Sequence, residues 1–304
     1  MVKHILVTGS SGFTGRYVTE ELLKLGYEVF GLTSDCSTTG KTIDLNDQNA
    51  VRAVIDCVKP TSVIHLAAIA YVDHGFEADF KKVNVEGTSC LLTQLRRACA
   101  PIDTVIIASS ANIYGNSVVG RPISEDAVPC PQNFYAESKL LMEEMVKRDF
   151  ADLPITVVRP FNYTGVGQSI DFLVPKIVRA FRDKQETLRL GNLEVSRDFS
   201  DVRFVARVYS KLVSNCIAGE LLNVCSGRFY SINWILNFCE KVTGHKVVIK
   251  SDENLRRGNE IKLLWGDPSH MEDVIGEASM YTLDDTLSWM LGSYGNDKSV
   301  EKNS

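Results

Sequence analysis

The feature that most constrains this chain lies in its first 25 residues. Lys3-His4-Ile5-Leu6-Val7-Thr8 is a short apolar run of strand type, and Arg16 to Leu25 carries apolar residues at helical spacing. Between them stands Gly9-Ser10-Ser11-Gly12-Phe13-Thr14-Gly15, with glycines spaced G-x-x-G-x-x-G. Strand, glycine turn and helix in direct succession open a parallel sheet that cradles a dinucleotide. Gly9 permits the tight turn, Gly12 the approach of backbone to a pyrophosphate, and Gly15 close packing of helix on strand. The N–H groups and positive dipole end of the helix then face the phosphates.

The rest of the first half repeats the theme. Strand patterns at 3–8, 28–33, 61–66, 104–109 and 155–159 alternate with helical patterns near 13–25, 47–58, 83–99 and 135–150. This alternation predicts an α/β fold, a Rossmann-type doubly wound parallel sheet covered on both faces. Gly9, Ala68, Ser110 and Asn162 then gather at the carboxyl ends of the strands. Beyond 160 the pattern turns irregular, with Gly165, Gly167, Pro175 and Gly191, before residues 198–224 return to the sheet as a helix at 204–217 and a strand at 221–225. The expected division is 1–162 plus 198–225 as the dinucleotide domain, 163–197 plus 226–295 as a smaller C-terminal substrate domain, and 296–304 as a frayed polar tail.

Chemistry enters with Tyr135-Ala136-Glu137-Ser138-Lys139. Residues four apart share a helix face, so Tyr135 and Lys139 point the same way. An ammonium beside a phenol is expected to draw its pKa below the ordinary value of about 10. Ser110, delivered from the strand end Ala108-Ser109-Ser110, could share a substrate oxygen with that phenol. At the end of the second strand an acid would bind the ribose 2′-hydroxyl of NAD and repel the 2′-phosphate of NADP. Thr33 and Ser34 occupy that place, with Asp35 one step later, which favours NADP(H) and leaves NAD(H) as the alternative.

Composition excludes several classes. The net charge of −5 argues against nucleic acid as the main partner. No apolar run is long enough to span a bilayer, and the first residues read as a strand rather than a leader. The eight cysteines form no C-x-x-C pair and mostly sit in apolar surroundings, as free buried thiols in the cytoplasm would. The five histidines are scattered without metal-ligand spacing, so no metal site is expected and His65 is read as a packed strand-end residue.

The glycine spacing, Tyr135, Lys139 and Ser110 together resemble the short-chain dehydrogenase/reductase superfamily, in its extended branch acting on nucleotide sugars. Asp44-Leu45, His65-Leu66-Ala67-Ala68, Asn84-Val85-Glu86-Gly87-Thr88 and Arg159-Pro160-Phe161-Asn162 extend the likeness over nearly the whole chain. The resemblance implies cofactor contacts from the glycine turn (Ser11, Phe13 and Thr14 besides its glycines), Thr33, Ser34, Asp44 and Leu45 at the adenine, Leu66, Ala67, Ala68, Asn84, Pro160, Tyr135 and Lys139. Asn84 would orient a backbone or water link behind Lys139, with helix capping as its alternative. A homodimer is also implied, through helices near 84–99 and 135–150.

Leu190-Gly191-Asn192-Leu193-Glu194-Val195-Ser196-Arg197-Asp198-Phe199 and Arg257-Gly258-Asn259-Glu260 resemble loops of the GDP-mannose 4,6-dehydratase and GDP-4-keto-6-deoxymannose reductase families. Arg197 and Arg257 would then reach the diphosphate or its ribose, Glu260 the ribose hydroxyls, and Val174 with Lys176 the guanine, with Asn162 and Asn192 as further substrate contacts. Arginine suits a diphosphate because its fork donates two parallel bonds. Gly258 replaces the proline usual in these relatives, which loosens the expected hold on Arg257. The turn after Ser110 carries Ala111 and Asn112, so the carboxylate that eliminates water in 4,6-dehydratases is missing. The expected activity is therefore reduction of a GDP-linked 4-keto-6-deoxy sugar, to GDP-D-rhamnose or GDP-6-deoxy-D-talose. A nucleotide-sugar 4-epimerase is the alternative, and a non-catalytic NADP sensor a more remote one.

Overall fold

The computed structural model describes residues 3–33, 41–70, 76–117, 120–253, 261–276, 278 and 281–293. Ser34, Asp35, Arg257, Gly258 and Glu260 lie outside the described residues.

Seven parallel strands form the sheet on which the rest is laid, in the order Leu221–Val224, Ile155–Pro160, Thr104–Ala108, Ser62–His65, His4–Thr8, Glu28–Thr33, Lys41–Thr42. The chain enters it with β1 (His4–Thr8), helix α1 (Phe13–Lys24), β2 (Glu28–Thr33) and β3 (Lys41–Thr42). Then come α2 (Gln48–Val58) and β4 (Ser62–His65), followed by α3 (Glu77–Phe80), a π-turn at Lys81–Glu86 and α4 (Gly87–Arg96). β5 (Thr104–Ala108) leads through a 3-10 turn at Ala111–Tyr114 to α5 (Phe134–Asp149) and β6 (Ile155–Pro160). Every predicted strand of the first half is present within a residue or two. The helix predicted at 83–99 belongs to a helical run that begins earlier, at Glu77, ends at Arg96 and carries a π-turn at Lys81–Glu86.

Alternation along each strand explains the two covered faces. In β1, Ile5 and Val7 join the apolar cluster under α1 and α7, whereas Leu6 joins the cluster under α2, α4 and α5. β5 repeats the split, with Ile106 on the first side and Val105 and Ile107 on the second. Both faces being buried, the strands read as unbroken apolar runs. Helix starts follow local caps: Asp47 accepts from Asn49 N and Ala50 N at α2, and Asn133 from Ala136 N at α5.

After β6 the elements become short. β7 (Asn162–Thr164) pairs with β10 (Phe199–Asp201), and α6 (Leu173–Arg182), β8 (Thr187–Leu190) and β9 (Ser196–Arg197) lie between them. α7 (Val202–Ser214) and β11 (Leu221–Val224) rejoin the main sheet. β12 (Tyr230–Ser231), α8 (Ile232–Thr243), β13 (Val248–Ser251), β14 (Leu263–Leu264), α9 (Ser269–Ile275) and α10 (Leu283–Ser293) follow. A third apolar cluster draws on α6, β8, α8 and α10, while α9, within the expected substrate segment, packs through Met271 and Ile275 onto the sheet-side cluster.

Gly15 is where this packing leaves no latitude. A Cβ there would lie 2.1 Å from Gly9 O and 2.7 Å from Ser10 Cα, so α1 crosses the turn at backbone contact. Gly15→Ala is expected to lower stability by about 1–3 kcal/mol in urea unfolding, as overpacking does. Gly292→Ala, with nothing within 4 Å of its Cβ, is expected to leave stability unchanged or slightly higher. Equal behaviour of the two variants would refute the close crossing.

Candidate active site

The glycine turn sits at the carboxyl end of β1. Gly9 has a φ of +68°, and a Cβ on it would stand 2.9 Å from Ala67 N, so the loop after β4 presses directly on the turn. α1 starts at Gly12 with no side chain capping its first N–H groups. An uncapped helix start beside a turn without side-chain bulk fits the diphosphate of a dinucleotide. Thr33, buried at the end of β2, exchanges a hydroxyl hydrogen bond with Ser11, which turns it toward the glycine turn. Phe13 stacks on Tyr163 at 6.1 Å between centroids, and the Tyr163 hydroxyl bonds Thr14 Oγ1 at 2.7 Å.

Around this turn, Leu66, Ala67 and Ala68 are half-buried, and Ala67 N donates to Thr8 Oγ1 at 3.2 Å. His65 lies fully enclosed between Thr8 Oγ1 at 2.7 Å and Thr88 Oγ1 at 2.8 Å. Thr88 donates to Asn84 O, which assigns the His65 proton to Nε2 and leaves Nδ1 to accept from Thr8. Burial, with the Lys139 charge adding to it, depresses the His65 pKa to about 3. Asp44 is exposed, its Oδ1 accepting from Asn46 N at 2.9 Å, and those bonds hold its carboxyl below the usual range. Leu45 is half-buried beside Gly87, and Pro160, buried, ends β6 in register with Val224.

The three proton-handling groups meet at the end of β5. Tyr135, Lys139 and Ser110 are 8%, 3% and 7% exposed, so water has little access. Lys139 Nζ donates to Ala108 O at 2.8 Å, and Ser110 hydrogen-bonds the Tyr135 phenol. The Ser110 Oγ also accepts from Asn112 N at 3.2 Å, capping the 3-10 turn. Asn84 is fully buried inside the π-turn and caps no helix. It receives Ile69 N at 2.9 Å on Oδ1 and donates to Ser138 Oγ at 2.9 Å, tying the loop after β4 to α5.

The expected depression of the Tyr135 pKa is not what this arrangement produces. Burial pushes the phenol up to about 12, with the Ser110 bond pulling the other way. The Lys139 ammonium faces the Ala108 carbonyl instead, and burial lowers its own pKa to about 8 against the pull of Glu143. Desolvation outweighs the pair attraction from which the spacing argument started.

On the substrate side, Ala111 is buried and Asn112 half-buried in the turn after Ser110. Asn162 starts β7, and Lys176 is half-buried on α6. Val174 packs in the apolar cluster with Ile177 and Phe181, so any contact it makes with a substrate falls to its backbone. Asn192 Oδ1 accepts from Glu194 N, closing a local turn. Arg197 lies on β9 between β12 and β14, and its Nη1 donates to Ser196 O at 2.9 Å and Lys262 O at 3.3 Å. Spacing arguments also passed over Tyr163, although it directly follows Asn162, and Asp198, which follows Arg197. Asp198 is buried and accepts from Ser226 N, Ser226 Oγ and Gly227 N; burial raises its carboxyl to about 6 while those bonds oppose it.

Two expectations need correction or restriction. Cys57, Cys99, Cys130 and Cys216 are exposed, because α2 buries Val51, Val54, Ile55 and Val58 and turns Cys57 outward, and the others lie in loops; among the described residues Cys225 and Cys239 are buried and Cys90 half-buried, and Cys36 lies outside them. Among the described residues no three His, Cys, Asp or Glu side chains are placed to hold a metal ion, and no helix is long and apolar enough to cross a membrane.

The sequence matches the family described as "NAD dependent epimerase/dehydratase family" over residues 5–225. It is similar to a GDP-6-deoxy-D-talose 4-dehydrogenase of Aggregatibacter actinomycetemcomitans, 38% identical over 91% of this chain and 93% of the relative. It is also similar to a GDP-6-deoxy-D-mannose reductase of Pseudomonas aeruginosa, 30% identical over 97% of this chain and 98% of that one. Among solved structures, RMD from Pseudomonas aeruginosa complexed with NADPH superposes with a TM-score of 0.83 at 30% identity, over 97% and 98% of the two chains.

The buried Lys139 makes a testable statement about stability. It gives up its proton near pH 8 in the folded protein and near 10.5 in the unfolded chain. The unfolded chain therefore binds more protons between those values, and stability rises with pH across that window. Below it the buried ammonium costs about 3 kcal/mol, against about 1 kcal/mol gained from the bond to Ala108. Lys139→Met is thus expected to be about 2 kcal/mol more stable at pH 7 in urea unfolding, with the advantage fading by pH 10. A difference that stays constant with pH would refute the depressed pKa.

Proposed function

The chain belongs to the NAD dependent epimerase/dehydratase family, and from that premise we propose that it reduces the C4 keto group of a GDP-linked 4-keto-6-deoxy sugar with NADP(H) preferred over NAD(H). The product is GDP-D-rhamnose or its C4 epimer, GDP-6-deoxy-D-talose. The observation that carries this reading is the turn after Ser110, where Ala111 and Asn112 offer no carboxylate beside an otherwise complete Ser110–Tyr135–Lys139 set. Elimination of water needs an acid and a base there; reduction needs neither.

A bound nicotinamide supplies the hydride. The residues handle the proton and the oxygen. Tyr135, its pKa pushed up by burial to about 12, is protonated at neutral pH and is the acid that protonates the C4 oxygen. Ser110, already hydrogen-bonded to the phenol, donates to the same oxygen. Lys139 would hold the nicotinamide ribose of a bound cofactor, and Asn84 keeps the loop beside it in place through Ile69. Arg197, Lys176, Asn192 and Asn162 serve the GDP moiety, with Arg257 and Glu260 assigned to it by the family resemblance. Thr33, an uncharged hydroxyl at the end of β2, tolerates a 2′-phosphate and so supports NADP(H).

Exposed Phe134 and Leu141 on α5 support a homodimer through α4 and α5, and the free thiols suit the cytoplasm.

The reading is tested by mixing the protein with GDP-4-keto-6-deoxy-D-mannose and NADPH or NADH and following loss of reduced cofactor. Turnover with NADPH exceeding NADH is expected. No oxidation of either cofactor refutes the ketoreductase, and nucleotide retained through purification without net consumption identifies a 4-epimerase instead. Tyr135→Phe is expected to lower kcat/KM by roughly 10²–10⁴-fold with cofactor affinity unchanged.

A further inference from the structure

Arg159 stands at the centre of a buried polar knot that the reaction above does not use. Its side chain is 6% exposed, and its guanidinium donates two parallel bonds to Glu143, Nε to Oε1 at 3.0 Å and Nη2 to Oε2 at 2.6 Å. The remaining nitrogen, Nη1, donates to the Tyr114 hydroxyl at 2.9 Å and to Glu125 O at 3.2 Å. Tyr114 in turn donates to Asn223 Oδ1 at 2.7 Å, and Asn223 Nδ2 donates to Ile123 O at 2.8 Å. Glu125 Oε1 closes the knot by accepting from Asn223 N at 2.6 Å. Arginine is the side chain for this place, since its rigid fork meets a carboxylate and a hydroxyl at once.

The partners are the supports of the site. Glu143 lies on α5 one turn beyond Lys139 and two beyond Tyr135. Tyr114 ends the 3-10 turn that Ser110 caps and that carries Ala111 and Asn112. Arg159 itself is on β6, just before Pro160 and Asn162. A single four-residue 3-10 turn has little stability of its own, so its position depends on what grips its far end.

We propose that Arg159 is a positioning residue that locks α5 to the turn 111–114 through Glu143 and Tyr114, and so fixes the Tyr135 phenol relative to the sugar. The proposal rests on the ketoreductase reading. A second consequence concerns charge. The groups facing Lys139 are Glu143 and Tyr135 on its own helix, His65 on β4 and the Ala108 carbonyl on β5. Of the titratable groups among these, Glu143 is the one that favours the ammonium, and Arg159 occupies both of its carboxylate oxygens.

Tyr114→Phe keeps the buried ring and removes only the hydroxyl, and Glu143→Gln keeps the shape and removes the charge. For Tyr114→Phe, kcat is expected to fall about 10- to 100-fold, the cost of a small misplacement, while the dissociation constant of the reduced cofactor stays at the wild-type value. In Glu143→Gln the alkaline limb of the pH profile is expected to move to lower pH, because Lys139 loses the group that raises its pKa. Hydrogen exchange gives a readout that needs no substrate: amides of residues 109–116 should exchange faster in both variants, and those of 9–15 should not. Unaltered exchange at 109–116 in Glu143→Gln overturns the lock. So does a loss of thermal stability with kcat, KM and pH profile all unaltered. If the wild-type protein reduces no GDP-linked keto sugar, the functional reading fails, and the exchange experiment still decides the lock.

Discussion

The contact on which the candidate active site depends is the hydrogen bond from Lys139 Nζ on α5 to the Ala108 carbonyl on β5, at 2.8 Å. Ala108 ends β5, and its carbonyl lies on the side away from β6, where Ala67 N past the end of β4 has turned to Thr8 Oγ1, so it needs another donor. An ammonium from α5 is that donor. Because Lys139 and Tyr135 share a helix face, the same bond sets the phenol over the strand end from which Ser110 emerges. The cost is a buried cation, offset by Glu143 one turn along and reduced by a pKa near 8. Together with the Ser110–Tyr135 bond, the Lys139 bond is the polar reason that face of α5 lies against the end of β5.

The nucleotide end of the site depends on a different contact. Thr14, Arg16 and Tyr17 on α1 bond Tyr163, Gly167 O and Val166 O respectively, at 2.7, 3.1 and 2.7 Å. The helix whose start suits a diphosphate is thereby attached to the segment that leaves the sheet toward α6. α1 and the segment after β6 are held to each other by side chains, and not only by the chain running between them. Asp198 plays a comparable part at the other end of that lobe, gathering Ser226 and Gly227 onto the corner after Arg197.

The main sheet and its helices were legible because their signals are long and physically redundant. β1, β4 and β5 are buried on both faces, and Gly9, Gly12 and Gly15 sit at spacings that only a strand–turn–helix crossing needs. The region after 160 was illegible for the converse reason. β7, β9, β10, β12 and β14 are two or three residues long, too short for any period to register, and β3 is only two. α6 was passed over although Val174, Ile177, Val178 and Phe181 form an apolar stripe; Pro175 read as a break, but it lies in the first turn, where proline costs no hydrogen bond. Asn84 and Arg159 were visible as motif members, yet their partners Ile69, Ser138, Glu143 and Tyr114 are set by tertiary folding alone.

The Tyr135–Lys139 pair shows most clearly what a sequence argument omits. Spacing places a cation beside a phenol, and in water that proximity would lower the phenol pKa. The fold also takes both groups out of water, which disfavours phenolate and ammonium alike, so each shifts toward its neutral form: Tyr135 to about 12 and Lys139 to about 8. The two directions have one cause. A neutral phenol is the form that can donate a proton, so the enclosure of the site, more than the charge beside it, keeps Tyr135 in the form that the proposed reduction requires. Ser110, bonded to that phenol, opposes the rise without any charge of its own.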